Sequence, residues 1–244
     1  MLHAMSTTAL ARRGSDIATR LRAGLLDVLL PQQCIVCGDF GASLHPECLT
    51  AFPPAEGSRC ARCWRPVPTT WCERCASEGP DVPAFDALRT PFRFEDHARR
   101  AILEAKFRGI TSHLPVLAGA AVEVIPPEWR YDAVVAVPLA RVRERRRGYN
   151  QAAILARHIA RATGVREHGR LIARVRSTPA QATLSAERRA TNLVGAFAVR
   201  GVPPPAVLVV DDVTTTGSTL DAVASALKAA GAERVYVLAV ARED

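Results

Sequence analysis

The chain has 244 residues, of which 48% are hydrophobic and 23% are charged, and its mean hydropathy is +0.04. This composition excludes a disordered or collagen-like chain, and the length allows one sizeable α/β core with a smaller module beside it. The formal net charge of +8 and the isoelectric point of about 9.6 favour anionic partners, either nucleic acid or phosphorylated ligands.

The first predicted element is an amphipathic helix in a leader at residues 1–33. Its longest apolar run, Leu25–Leu30, is interrupted by Asp27 and is far shorter than the ~18–20 residues of a membrane-spanning helix. Helical spacing of the apolar residues favours packing on the protein itself, while docking on a partner protein or peripheral association with a membrane stays open. Because the leader has no export-signal pattern, we expect a cytoplasmic protein.

All seven cysteines fall within residues 34–76, which we interpret as a zinc module. In a reducing compartment, closely spaced cysteines predict metal ligands rather than disulfides. Two CxxC turns form the stronger motif, the second cysteine group, whose thiolates suit a tetrahedral zinc ion: Cys60, Cys63, Cys72 and Cys75. The first cysteine group has Cys3His spacing: Cys34, Cys37, His45 and Cys48.

The number of zinc ions stays open between one and two, because His45 is either a ligand or a solvated histidine. Cross-braced pairing between the two groups also stays open, since spacing alone does not exclude it. A segment of about forty residues buries too little apolar surface to fold unaided, so metal binding would stabilise its fold. Closed four-ligand sites leave no position for catalysis, and we therefore expect structural zinc.

Residues 77–90 have the composition of a linker, and residues 91–244 form the second predicted domain. Helices are predicted near 96–108, 112–124, 150–163 and 217–230. Strands are predicted near 132–137, 171–175, 206–211 and 234–240. This alternation predicts an α/β fold with a mainly parallel sheet that is covered by helices on both faces.

The positive charge is concentrated in the middle of the chain. Residues 141–190 contain 13 arginines and three glutamates, a net charge of +10, which leaves −2 for the remainder. The strand near 132–137 ends at Pro138 and is followed by an arginine-dense loop that leads into a helix. Guanidinium groups match phosphate oxygens, and Gly148 permits close approach of the backbone, so the loop predicts pyrophosphate binding.

The candidate pyrophosphate-binding residues are Arg141, Arg145, Arg147, Gly148, Asn150, Gln151 and Arg176. Arg157, Arg161 and Arg166 lie on a predicted helix, and a solvated basic face is favoured for them. The polar stretch 174–197 continues into a basic helix and predicts a mobile lid over the site.

The sharpest motif follows the strand of aliphatic residues 207–210. Asp211 and Asp212 come at its end, where open α/β sheets bind their ligands. The Thr/Gly/Ser loop, residues 214–219, then leads into a helix beginning near Ser218. Backbone N–H groups, hydroxyl groups and the helix dipole make such a loop a cradle for a dianion.

This segment resembles the phosphoribosyl-pyrophosphate (PRPP) motif of type I phosphoribosyltransferases. The resemblance implies that Asp211 and Asp212 are the catalytic residues, in contact with the ribose hydroxyls and the Mg2+ environment. It also implies that the Thr/Gly/Ser loop holds the 5′-phosphate through Thr214, Thr215, Thr216, Gly217, Ser218 and Thr219.

Three features together resemble the ComF (competence protein F) family: the cysteine-rich module, the PRPP-like loop and the run Arg147-Gly148-Tyr149-Asn150-Gln151. That family joins a zinc module to a type I phosphoribosyltransferase-like domain. The Pro138-Leu139 turn, Lys106 and the spacing of residues 178–197 also resemble family positions. His45 departs from the pattern, because the family's cysteine is expected there.

The resemblance implies Mg2+-dependent PRPP binding in a protein associated with natural competence and uptake of single-stranded DNA. One function is a pentosyltransferase, a phosphoribosyltransferase whose acceptor the sequence does not specify. The alternative is a non-catalytic, zinc-containing adaptor that senses PRPP and handles DNA, with competence or helicase proteins as partners. Aromatic residues make up only 5% of the chain, and Trp64, Trp71 and Tyr149 are the best-placed candidates for base stacking.

Overall fold

A computed structural model describes residues 32–79, 81–176, 193 and 195–244. The predicted N-terminal helix and residues 177–192 of the predicted lid lie outside these residues. The strands are β1 (Ala87–Arg89), β2 (Phe92–Arg93), β3 (Ala133–Ala136), β4 (Ile172–Arg174), β5 (Phe197–Val199), β6 (Ala206–Thr214) and β7 (Arg234–Arg242). The helices are α1 (Glu73–Ala76), α2 (Asp96–Phe107), α3 (Leu114–Glu123), α4 (Arg141–Arg147), α5 (Gln151–Thr163) and α6 (Ser218–Ala229), and Pro46–Ala51 forms a 3-10 helix.

A parallel sheet forms the centre of the molecule, with the strand order β1-β7-β6-β3 and with β2 also paired to β7. Side chains of β6 alternate between two apolar cores: Leu208 and Val210 face α2, α3 and α5, whereas Val207 and Val209 face α6. Because both faces are covered, the strand consists of consecutive aliphatic residues. The predicted α/β class with a parallel sheet and flanking helices is confirmed.

Three local predictions differ from the structure. The arginine-dense loop is helix α4, because no glycine or proline interrupts 141–147 and Gly148, at φ +86°, ends the helix as a left-handed cap. The strand predicted near 171–175 pairs antiparallel with β5 in a separate hairpin. Strand β1 lies within the predicted linker 77–90, and its central Leu88 is fully buried beside β7.

Within the described parts of the chain, no helix has the length and apolar character needed to cross a bilayer. Each cysteine group packs into a different core. Cys34 belongs to the core of α2, α3 and α5, while Cys60, Cys63, Cys72 and Cys75 belong to the core of α6. The zinc module therefore borders both faces of the sheet.

Candidate functional site

A cavity of about 620 Å³ opens where β3 and β6 end. These strands pair in parallel, Ala136 opposite Val210, so their carboxyl ends meet at one edge of the sheet. Open α/β sheets bind ligands at this edge. The charged lining residues are Lys106, Arg143, Arg146, Arg147, Arg174, Asp211 and Asp212. The cavity thus combines two carboxylates with five cations.

The two carboxylates have different surroundings. Lys106 Nζ lies 2.8 Å from Asp212 Oδ1, and the Asp212 N–H donates to Asp211 Oδ1 at 2.9 Å. Burial, followed by the charge of Asp212, raises the pKa of Asp211 to about 7, although Lys106 and Arg174 oppose the shift. Asp211 therefore changes its charge near neutral pH.

The Thr/Gly/Ser loop turns the chain from β6 into α6. Strand β6 extends to Thr214, three residues beyond the predicted end, and the hydroxyl of Thr214 is buried without a hydrogen-bond partner among the described residues. Gly217 has φ +79°, which a side chain would oppose, and it immediately precedes α6. Thr216 Oγ1 and Ser218 Oγ are 2.8 Å apart, and Thr219 lines the cavity.

Helix α4 presents its arginines on two faces. Arg143, Arg146 and Arg147 line the cavity at helical spacing, whereas Arg141 and Arg145 occupy the opposite face and lie outside the lining. Arg147 is half-buried, and the other four arginines are exposed. Sequence reasoning selected Arg141 and Arg145 but missed Arg143 and Arg146. A helical interpretation of 141–147 would have provided the missing signal.

Residues 148–151 join α4 to α5 along the cavity wall. Asn150 caps α5, since its side-chain oxygen accepts from the Ala152 N–H at 3.1 Å, and its Nδ2 donates to the Val137 carbonyl at 2.9 Å. Arg147 Nη1 donates to Gln151 Oε1 at 2.5 Å, and Tyr149 donates its hydroxyl to the Ala105 carbonyl.

Tyr149, Asn150 and Gln151 line the cavity, while Gly148 is the left-handed cap of α4. Arg174 also lines the cavity and was not among the predicted residues. Arg176 lies two residues later, outside the lining. Lys106 resembled a family position but was not assigned to the site, because its distance in sequence from Asp212 concealed their contact.

The first cysteine group gathers all four of its predicted ligands. Its ligand atoms lie within 4.8 Å of one another, and Cys37 Sγ is 3.5 Å from His45 Nδ1. Burial opposes ionisation of Cys34, but backbone N–H groups of His45 and Cys37 bind its sulfur, and its pKa is lowered to about 6. A thiolate of this kind is a metal ligand. The group is therefore able to hold zinc, with His45 as the fourth ligand.

The four sulfur atoms of the second cysteine group also lie close together, and no residue of the first group is among them. These four sulfur atoms lie within 4.8 Å of one another, all four residues are buried, and Cys63 Sγ is 3.6 Å from Cys72 Sγ. Zinc–sulfur bonds of about 2.3 Å would separate sulfur atoms of a tetrahedron by about 3.8 Å, so the residues fit zinc. Ligand atoms group within each half, which favours two separate sites over cross-braced pairing.

Comparisons with known proteins agree with this architecture. The phosphoribosyl transferase domain family matches residues 145–243. DNA utilization protein YhgH of Salmonella typhimurium is 33% identical over 202 residues, which are 82% of this chain and 84% of that protein. Competence protein F of Haemophilus influenzae is 38% identical over 115 residues, 46% of this chain, and the match spans only 50% of that protein.

Solved phosphoribosyltransferases are more distant. An adenine phosphoribosyltransferase aligns at 17% identity and a TM-score of 0.32, over 57% of this chain and 74% of its own. An orotate phosphoribosyltransferase from Aeropyrum pernix aligns at 19% identity and a TM-score of 0.29, over 60% and 77% of the two chains.

Proposed function

Because this chain belongs to the competence protein F (ComF) family, we propose that it binds PRPP with Mg2+ and serves the use of incoming single-stranded DNA in the cytoplasm. One observation carries the proposal: an acidic pair and a Thr/Gly/Ser loop follow a central parallel strand, and the acidic pair and Thr219 of that loop line a cavity that also holds five cations. A dianionic phosphate, vicinal hydroxyl groups and a pyrophosphate are the groups that this arrangement would recognise.

PRPP would bind with its 5′-phosphate at the Thr/Gly/Ser loop and its ribose hydroxyls at Asp211 and Asp212. The pyrophosphate would face the arginines of α4 that line the cavity, Arg143, Arg146 and Arg147. Carboxylate oxygens are the ligands that Mg2+ prefers, so Asp211 and Asp212 fit the metal. Mg2+ bound with PRPP would neutralise part of the pyrophosphate charge.

A transfer reaction would break the bond between ribose C1 and the pyrophosphate oxygen and form a bond from an acceptor nucleophile to C1. The electron pair leaves with pyrophosphate, and the arginines of α4 stabilise that developing charge. The carboxylates face the positive ribosyl centre. The acceptor stays unspecified, because variable loops build such pockets.

The second candidate function is a PRPP-sensing adaptor that handles DNA without turnover. The exposed face of α4, with Arg141 and Arg145, favours it as an electrostatic surface for phosphates. Both tryptophans face a guanidinium group: Arg89 lies 4.2 Å from the ring centre of Trp64, and Arg62 lies 5.8 Å from that of Trp71. Trp71 is 44% exposed and is the more accessible stacking candidate. Steady pyrophosphate release from PRPP with an acceptor identifies the enzyme, and binding without release identifies the adaptor.

The substitution Asp211→Asn tests the proposed PRPP site. We expect Mg2+-dependent PRPP affinity to fall at least tenfold, because the neutral amide no longer attracts the metal and accepts fewer hydrogen bonds from ribose hydroxyls. Isothermal titration calorimetry measures the change. Glu233→Gln is the matched control, since it removes one exposed carboxylate at the opposite end of the sheet. Equal affinity of wild type and Asp211→Asn would contradict the assignment.

A further inference from the structure

The second cysteine group is connected to the Thr/Gly/Ser loop by a buried arginine. Arg242, at the end of β7, is 3% exposed. Its Nη1 donates to the Cys63 carbonyl at 2.8 Å, and its Nη2 donates to the Thr215 carbonyl at 3.3 Å. One guanidinium thus joins the backbone of a metal-ligand residue to the backbone of the loop.

A second arginine makes a parallel connection from inside a CxxC turn. Arg74 lies between Cys72 and Cys75, and its Nη1 donates to the Thr216 carbonyl at 3.3 Å. Its Nη2 lies 3.2 Å from Asp221 Oδ2 on the first turns of α6, and its Nε donates to the Asp81 carbonyl at 2.6 Å. The two arginines therefore hold consecutive carbonyl groups of the loop.

Both connections have further partners, one inside the cysteine module and one in the segment that follows it. Asp244 Oδ1 lies 3.2 Å from Arg242 Nε, and Asp244 Oδ2 lies 2.8 Å from Arg59 Nη1, beside Cys60. Asp221 Oδ1 accepts the Ala84 N–H at 2.7 Å. The loop is thus tied to the module through charged hydrogen bonds on both sides, which are stronger than neutral ones.

Because the arginines fix the orientation of these two carbonyl groups, they also fix the orientation of the N–H groups in the same peptide bonds. In a trans peptide, the N–H of the next residue points opposite to the carbonyl, so the N–H groups of Thr216 and Gly217 point away from the arginines. Across the described residues, these two N–H groups donate to no backbone carbonyl. Within that part of the chain, no backbone carbonyl competes for these two donors, and the arginines set their direction.

We propose that Arg74 and Arg242 are positioning residues through which zinc at the second cysteine group sets the conformation of the Thr/Gly/Ser loop. The filled site holds the CxxC turns, and the arginines hold the loop's N–H groups in the orientation that binds phosphate. Loss of zinc frees the Cys63 carbonyl and the Arg74 turn, so the loop loosens and its phosphate affinity falls. The link to phosphate rests on the proposed function; the link between zinc and the loop does not.

The test measures amide hydrogen exchange in the full chain without PRPP, comparing zinc-loaded and zinc-stripped protein. Stripping should speed exchange at residues 215–219 at least tenfold, while strand β6 at 207–210 keeps its protection as the internal reference. Arg74→Gln should speed loop exchange at least threefold while two zinc ions stay bound. Arg62→Gln is the matched control, because Arg62 holds the equivalent position in the Cys60–Cys63 turn and faces Trp71; it should leave the loop unchanged.

The proposal would be overturned if the exchange rate of the loop were equal in Arg74→Gln and wild type. It would also be overturned if that rate did not change when zinc is removed. Calorimetry with Mg2+ and PRPP then separates it from the proposed function. A zinc-dependent loop with no PRPP affinity supports the coupling and contradicts the ligand. PRPP affinity that stays constant while zinc is removed contradicts the coupling itself.

Discussion

At the scale of single residues, the acidic pair at the end of β6 is electrostatically unequal. Lys106 pairs with Asp212, while Asp211 stays desolvated beside that charge and has its pKa raised to about 7. A raised pKa means that folding favours the protonated form. Asp211 therefore contributes fully to the stability of the fold below about pH 4, which is the pKa of an aspartate carboxyl in the unfolded chain. That contribution is lost as the pH rises through about 7.

The proposed binding of PRPP should have the opposite dependence, because Mg2+ and ribose hydroxyls would need the ionised carboxylate. We expect PRPP affinity to rise between pH 6 and pH 8, with a midpoint near 7 in calorimetric titrations. Lys106→Met removes a cation that lowers the pKa of Asp211 and should move the midpoint to higher pH. Lys228→Met, the substitution of the chain's other lysine, which pairs with Asp86, is the control. A midpoint that Lys106→Met leaves unmoved would contradict this account.

At the scale of elements, the helical conformation of α4 divides one arginine run into two surfaces. All four of these side chains are exposed, but Arg143 and Arg146 line the cavity and Arg141 and Arg145 do not. Under the proposed function, the arginines in the cavity would meet a small polyphosphate, and those on the opposite face would meet a nucleic acid backbone. Residues at positions i, i+3 and i+4 of a helix share a face, which produces this division.

Two double variants separate these surfaces. Arg143→Ala with Arg146→Ala should weaken PRPP binding at least tenfold, because each charged hydrogen bond to phosphate contributes about 1.5–3 kcal/mol. Arg141→Ala with Arg145→Ala should leave PRPP binding unchanged. For single-stranded DNA, the same pair should reduce the slope of log affinity against log salt concentration by about 0.7 for each DNA phosphate that is no longer neutralised. Calorimetry and fluorescence anisotropy measure the two affinities. Arg157→Ala with Arg161→Ala is the charge-matched control on α5, and equal effects of all three pairs would refute the division.

At the scale of the whole molecule, the two cysteine groups fasten the module to both faces of the sheet. Each group contributes to a different core, and the second is also hydrogen-bonded to the Thr/Gly/Ser loop through Arg242. Metal binding and folding of such a module are one process, because the ligands supply the cross-links that its small apolar core lacks. The zinc ions are thus expected to stabilise the module and the contacts that it makes with the two cores.

Elemental analysis of the purified full chain should give two zinc ions per molecule. His45→Ala should reduce the content to one ion, since it removes the fourth ligand of the first cysteine group, and should lower the Tm. Cys60→Ser should likewise remove the second ion. His158→Ala, a histidine on α5 outside both groups, should retain both ions. Two ions in His45→Ala would exclude His45 as a ligand.

Much of the fold was predictable because its signals are local. Consecutive aliphatic residues at 207–210, helical periodicity near 96–108 and 150–163, and CxxC spacing each reflect the physics of a single segment. Helix α4 was also predictable from its residues, but the segment was interpreted as a phosphate-binding loop. Strand β1 was not, since three residues beside a linker become a strand only when β7 supplies hydrogen bonds and covers Leu88.

The sequence by itself determined the α/β class, the acidic pair, the Thr/Gly/Ser loop and the eight candidate metal ligands, because short-range spacing along the chain specifies each of them. The tertiary structure decided how those ligands divide into two groups. The tertiary structure decided which cations reach the acidic pair: Lys106 from α2 and Arg174 from the hairpin join it from distant parts of the chain. It also decided that Arg74 and Arg242 connect the zinc module to the loop. Long-range packing brings these groups together, and spacing along the chain does not encode it.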